Sequence, residues 1–289
     1  MCEELSFERG RNWRVQGIAL ARFTIFVTSF VALNIALNAL LLGIQSHLST
    51  LEEHLVLAMG SLCVAVIALT AIMAKTENRQ LADFGFARTR CAQNFALGIA
   101  CGFVGLSLQL AVLGLTGVIS RVTFVSFDTP LFAEGFSLAV LFFLTAVTEE
   151  ALFRGYVLIK LSQVVSFWPA AIFLAALFGA FHGIKGGGEN KLGGASAFAI
   201  ALAFAYSFRL TGTLWLSIGG HFGWNFAQSF IFGLPNSALN FSGSLLRISL
   251  HGTDLLTGGT VGPEGSILAL IFPCLVMLVS WYRRLLPDA

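Results

Sequence analysis

Glu149, Glu150, Arg154, His182 and His221 each lie inside or at the end of a long apolar stretch of the chain. Ionisable groups at bilayer depth are costly and persist mostly where they face one another or a water-filled cavity. Glu150 and Arg154 are four residues apart, on one helix face, with the acid before the base. Each neutralises a partner that could not stand alone in lipid. Glu149 projects about 100° away from Glu150 and is left to face a cavity. A carboxylate in an apolar pocket is tuned toward the range useful for a general base. The competing reading of this triplet is a charge cluster that only locks helices together.

Two further polar positions could join it. His182 closes the run Phe178-Gly179-Ala180-Phe181-His182-Gly183, where Gly179 and Gly183 admit a close neighbour; its structural alternative is a helix-end contact. His221 and Asn225, again four apart, project together from one helix as two donors suited to a developing oxyanion; the alternative is a polar contact between helices. The preceding Gly219-Gly220 pair would admit a helix or a peptide. At roughly 1.5 Å of rise per residue, Glu149, His182 and His221 lie about 16, 22 and 12 Å along their helices, levels agreeing to roughly 10 Å. Convergence on one cavity is the expectation.

The elements that must hold these groups are membrane helices. The chain is 56% hydrophobic and 11% charged, with 28 Phe and a mean hydropathy of +0.83, against about a quarter charged residues in soluble domains. Apolar runs predict an all-α polytopic membrane bundle of about eight transmembrane helices, near 18–44, 52–74, 94–119, 134–160, 167–184, 192–208, 213–232 and 265–286. The alternating ten-residue signature of an outer-membrane barrel is absent. Of the 17 bases, twelve (Arg9, Arg11, Arg14, Arg22, Lys75, Arg79, Arg88, Arg90, Lys160, Arg209, Arg283 and Arg284) flank one side, which predicts that both termini are cytoplasmic. Scattered bases and a net charge of +2 form no nucleic-acid patch.

The first apolar run reads as a retained helix rather than a cleaved signal, and residues 1–16 as an interfacial segment. The five cysteines show no ligand spacing, which predicts neither disulfide nor cysteine metal site. Asn34 and Asn38 read as an interhelical polar contact. The chain divides into residues 1–133 (interfacial segment and three helices), 134–232 (a catalytic core of four helices) and 233–289 (long loop and last helix), all in one integral membrane domain. The loop 233–264 is long for a compact bundle; Ser266 is expected to cap the last helix, with Glu264 near its positive end.

In order and spacing, Glu149-Glu150…Arg154, Phe178…His182 and His221…Asn225 resemble the CAAX protease and bacteriocin-processing family of intramembrane peptidases, which includes the type II CAAX prenyl endopeptidases. The family pattern is Glu-Glu-x-x-x-Arg, Phe-x-x-x-His and His-x-x-x-Asn/Asp, matched at every motif position over roughly residues 134–232. The resemblance implies peptide-bond hydrolysis: Glu149 and His182 activating a water, His221 and Asn225 stabilising the oxyanion, Glu150 and Arg154 holding the architecture. Which glutamate is the base is left open.

The expected function is thus that of an intramembrane endopeptidase acting on a membrane-associated, lipidated or hydrophobic peptide. It would lie in the cell membrane (inner or plasma) with a cytoplasm-facing site, its partners being substrate peptide and lipid and not nucleic acid. Phe153, Phe178, Phe181, Phe222 and Trp224 are candidate groove residues. No cofactor is favoured; the alternative is zinc held by Glu149, His182 and His221, against which stand the missing His-Glu-x-x-His helix and a poor ligand in Asn225. Competing functions are a catalytically silent scaffold or immunity protein of the same family and a proton- or ion-coupled transporter.

Overall fold

The computed structural model describes residues 12–125, 128–185 and 191–285. Helix dominates because lipid offers backbone groups no other open-ended way to be satisfied. In chain order the helices are α1 (Trp13–Gln45), α2 (Leu51–Thr76), α3 (Cys91–Leu115), α4 (Thr129–Arg154), α5 (Tyr156–Val165), α6 (Phe167–Lys185), α7 (Lys191–Thr211), α8 (Trp215–Phe226), the single turn α9 (Asp254–Thr257) and α10 (Ile271–Leu285). Among the described residues, seven segments are long and apolar enough to cross a membrane. The protein is an integral membrane helix bundle, as its composition predicts. Most of the stretch read as an interfacial N-terminus, residues 1–11, lies outside the described residues.

Local signals set the element ends. Thr50 and Glu53 form a reciprocal capping box on α2. Asp128 Oδ1 accepts from Leu131 N at 2.9 Å, ahead of a helix with Pro130 in its first turn. Three expectations need correction. The helix expected over 134–160 is two helices, α4 and α5, broken at Gly155 (φ −77°, ψ −119°), where a Cβ would lie 2.5 Å from the Ala151 carbonyl oxygen. The expected contact of Asn34 and Asn38 with another helix is instead made within α1, where Asn38 Nδ2 donates to Asn34 Oδ1 at 3.0 Å and to its carbonyl at 2.9 Å. The helix expected over 94–119 ends at Leu115, because the chain leaves it as a strand, β1 (Ile119–Phe124). That strand pairs antiparallel with β2 (Leu246–Leu250), inside the region read as a long loop.

The sheet constrains topology. β1 follows α3 and β2 follows α8, so both helices deliver the chain to the same face. With α4, α6 and α7 crossing between them, α8 crosses too, although it is absent from the seven segments that length and hydropathy pick out. A π-helical turn (Ala227–Ile231) extends it. Among the described residues, these eight crossings put the start of α1 and the end of α10 on one face.

Glycine lets α3 and α8 run in parallel with their backbones touching. A Cβ at Gly98 would lie 2.3 Å from the Leu216 oxygen; at Gly102, 2.4 Å from the Gly220 oxygen; at Gly219, 2.2 Å from the Phe95 oxygen; at Gly223, 2.5 Å from the Ile99 oxygen. Small residues at such crossings gain close van der Waals packing, the main attraction available between helices in lipid. The Gly219-Gly220 notch therefore receives a helix. Gly179 of α6 likewise meets the Gly194 oxygen of α7, at 2.6 Å from an added Cβ.

One buried ionic cluster was not legible as such in the sequence. Lys160, read as a flanking base, is buried and pairs with Glu77, which also meets Arg22 Nη1 at 3.0 Å and accepts from Tyr156 Oη at 2.6 Å. It ties α1, α2 and α5 together at one end of the bundle.

Gly102→Ala is expected to force α3 off α8 and lower the thermal unfolding midpoint, at a cost of about 1–3 kcal/mol typical of overpacking. Gly17→Ala, with nothing within 4 Å of its Cβ, should leave the midpoint unchanged in the same detergent melt.

Candidate active site

α4, α6 and α8 bring the sequence-predicted groups to one cavity of about 210 Å³, lined by Glu149, His182, His221 and Asn225. Phe178 and Trp224 also line it. Phe153 and Phe222 pack instead into the apolar core, Phe153 edge-on to Phe178 and Phe222 stacked on Phe95. Phe181 is 56% exposed on the outside of α6. Neither Phe153 nor Phe181 reaches the cavity, because both project from other faces of their helices.

Glu150 is fully buried and sits behind the cavity wall. Its Oε1 accepts from Arg154 Nη1 at 3.1 Å and from His221 Nδ1 at 3.1 Å. Arg154 is sealed by rings, its guanidinium carbon 4.6 Å from the Phe178 centroid and 5.8 Å from those of Phe153 and Phe204. Cation–π contact compensates part of its lost hydration. The Glu150–Arg154 pair is as the i,i+4 spacing predicts. The engagement of His221 by the same oxygen is not readable from spacing, since the two residues are 71 positions apart.

That contact sets the imidazole's protons. An ionised carboxylate can only accept, so His221 Nδ1 carries hydrogen and Nε2 faces the cavity side. Nε2 lies 3.9 Å from Glu149 Oε2, a buried atom that makes no hydrogen bond to the protein. A single water could contact both groups across such a gap. His182 Nδ1 contacts the Phe178 carbonyl oxygen at 2.9 Å, and its ring packs on the Phe178 ring at 4.2 Å between centroids. A carbonyl oxygen can only accept, so His182 Nδ1 carries hydrogen.

Among the described residues, no three His, Cys, Asp or Glu side chains gather closely enough to hold a metal ion. Glu149, His182 and His221, the set a zinc ion would need, all line the cavity without forming such a cluster, and His221 Nδ1 meets Glu150.

The loop 233–264 also lines the cavity, and two of its polar residues, Asn236 and Glu264, were missed as site residues. Asn236 Nδ2 donates to Asn225 Oδ1 at 3.2 Å. Glu264 does not sit at the end of the last helix as expected; it turns into the cavity wall, where Oε2 accepts from Gln228 Nε2 and Oε1 from Ser237 N. Ser266 does cap the following turn, accepting from Leu268 N at 3.1 Å. The dense Gly-Pro punctuation of 258–265 was the available signal. Gly262 (φ +113°) has no room for a Cβ, which would fall 2.1 Å from the Pro235 oxygen. Burial pushes the Glu264 carboxyl up to about 7, against the lowering effect of its Ser237 and Gln228 partners.

A membrane-embedded helical bundle with a carboxylate, two imidazoles and an amide around one cavity is the class of protein that fold and site define. The family model described as Type II CAAX prenyl endopeptidase Rce1-like matches residues 132–227, roughly a third of the 289-residue chain. The matched segment holds all three motifs and agrees with the resemblance drawn from them. The name of that family is that of an endopeptidase. α1 to α3, Asn236 and Glu264 lie outside it. No curated protein and no solved structure matched the chain.

Removing either member of a buried pair leaves the other charge uncompensated, so Glu150→Ala and Arg154→Ala should each cost about 3–5 kcal/mol, read as loss of folded yield and a lower melting midpoint. Glu264 should titrate near pH 7. Because its folded pKa is raised, its contribution to stability is fully present below about 4.5 and is lost as pH rises through about 7. Glu264→Gln should flatten that part of the stability-versus-pH curve in detergent melts.

Proposed function

We propose that the protein is an intramembrane endopeptidase that uses Glu149 as general base on a water, without a metal. The observation carrying this is the 3.9 Å approach of Glu149 Oε2 to His221 Nε2 at a cavity that Asn225 and His182 also line. Glu149 takes a proton from water as its oxygen attacks the scissile carbonyl carbon. His182, which lines the same cavity, helps orient that water. The oxyanion accepts from Asn225 Nδ2–H and from His221 Nε2–H of an imidazolium. With Glu149 and Glu150 ionised, Arg154 and a protonated His221 bring the local charge to zero, which suits a desolvated site. Collapse of the tetrahedral intermediate breaks the C–N bond, and the Glu149 carboxyl returns its proton to the leaving amine. Glu150 and Arg154 hold His221 and act through it.

The cavity's other wall is apolar, with Leu55, Met59, Leu141, Phe142 and Phe241. That favours a substrate presenting a greasy segment beside its scissile bond, a lipidated or hydrophobic peptide. The distribution of basic residues supports both termini on the cytoplasmic side of the cell membrane; the cavity, walled by loop 233–264 and the C-terminal ends of α6 and α8, lies toward the opposite face, against the cytoplasm-facing site expected from sequence.

In proteoliposomes, wild-type protein is expected to cleave a farnesylated peptide ending in Cys-aliphatic-aliphatic-X or an unmodified hydrophobic peptide, the two arms separating prenyl recognition from general hydrophobicity. Glu149→Ala and His182→Ala should each lose on the order of 10²–10⁴ in rate with unaltered melting curves. Activity should survive exhaustive chelation. Wild-type rates in Glu149→Ala would refute the assignment, recovery only on adding zinc would refute metal independence, and Glu149-dependent ion flux without cleavage would favour a transporter.

A further inference from the structure

Asn225 is useful to an oxyanion only if its amide presents nitrogen and not oxygen to the cavity. A primary amide has one donor end and one acceptor end, and a half-turn about its last bond exchanges them. What occupies the acceptor end therefore decides what the donor end does. Asn236 occupies it: its Nδ2 donates to Asn225 Oδ1 at 3.2 Å, and both residues line the cavity.

The turn bearing Asn236 is strained. Ser237 (φ 49°) and Ala238 (φ 64°) adopt left-handed conformations without being glycine, which persist only where the surroundings over-determine them. The turn closes on itself through Asn236 N to Leu239 O (2.9 Å) and Leu239 N to Asn236 O (2.8 Å). It is pinned from outside by Ala238 N donating to Val261 O at 3.1 Å and by Ser237 N donating to the Glu264 carboxylate. Glu264 is itself anchored: Ser196 Oγ of α7 donates to its backbone oxygen, and Gln228 Nε2, from the π-helical turn beyond α8, bridges its carboxylate and the Pro235 oxygen. Irregular helix of this kind often occurs at functional sites.

We propose that Asn236 is a positioning residue that holds the Asn225 amide with its nitrogen toward the reacting carbonyl, and that Glu264 holds the strained turn that presents Asn236. This rests on the peptidase reading above. Without Asn236 the Asn225 amide is free to turn its oxygen toward the oxyanion and repel it.

The test is a double-mutant cycle on the cleavage of the farnesylated or hydrophobic peptide, whichever wild-type protein turns over. Asn236→Ala should lower kcat by about tenfold, less than the roughly 100-fold loss on deleting an oxyanion donor outright, with KM unchanged. Asn236→Asp should be worse than Asn236→Ala, because a carboxylate can only accept and draws Asn225 Nδ2 away. In an Asn225→Ala background neither substitution should lower kcat further. Additive losses in that background, or an Asn236→Asp variant as active as wild type, would overturn the proposal. A merely structural role would favour the near-isosteric Asp over Ala. Should Asn236→Ala fail to fold, Asn236→Ser takes its place.

If wild-type protein cleaves neither peptide, it is the peptidase reading that fails. The same cycle read as melting midpoints then decides the amide pairing: additive shifts overturn it, and a smaller combined shift than the sum supports it.

Discussion

One oxygen, Oε1 of Glu150, holds the site together. It receives Arg154 from its own helix and His221 from α8, each at 3.1 Å. In an apolar bundle this oxygen neutralises a guanidinium and orients an imidazole at once. An uncompensated charge there would cost several kcal/mol, so α4 and α8 are locked in one relative position wherever Arg154 is ionised. The reactive face follows: with Nδ1 committed to Glu150, His221 can only turn Nε2 toward Glu149.

Such a lock needs backbones close enough for short side chains to meet, and glycine supplies that. Gly98 and Gly102 of α3 sit directly on Gly219, Gly220 and Gly223 of α8, which flank His221. α3 carries none of the site's side chains, yet it sets the depth of the helix that carries two of them. The Gly179–Gly194 contact does the same for α6 and His182. The Gly155 break ends α4 one residue after Arg154, so the motif closes a helix and the chain can leave at once along α5.

Local patterning made much of this legible. Hydropathy runs revealed the spans, i,i+4 spacing revealed the Glu150–Arg154 pair, and the order of three weak polar motifs pointed to one cavity. Where expectation failed, a nonlocal contact prevailed. The exception is local: Asn34 and Asn38, one turn apart, bond along their own helix. Lys160 looked like an interfacial anchor until Glu77, 83 positions away, buried it. α8 is too short to register as a span and crosses because β1 and β2 must meet on one face. Aromatic residues near the motifs divided by helix face: Phe178 and Trp224 inward to the cavity, Phe153 into the core, Phe181 outward.

Composition and periodicity by themselves determined that this chain is a membrane helix bundle, and which ionisable groups lipid could not tolerate alone. Those are local properties, set by the free energy of placing each side chain and each backbone amide in hydrocarbon. Only the tertiary structure decided who faces whom: that Glu149 approaches His221, that Glu150 serves two partners, and that a loop with no hydropathy signal returns Asn236 and Glu264 to the cavity. Those are decisions of distance between residues far apart in the chain. No spacing rule reaches across 71 residues, whereas packing at touching glycines does.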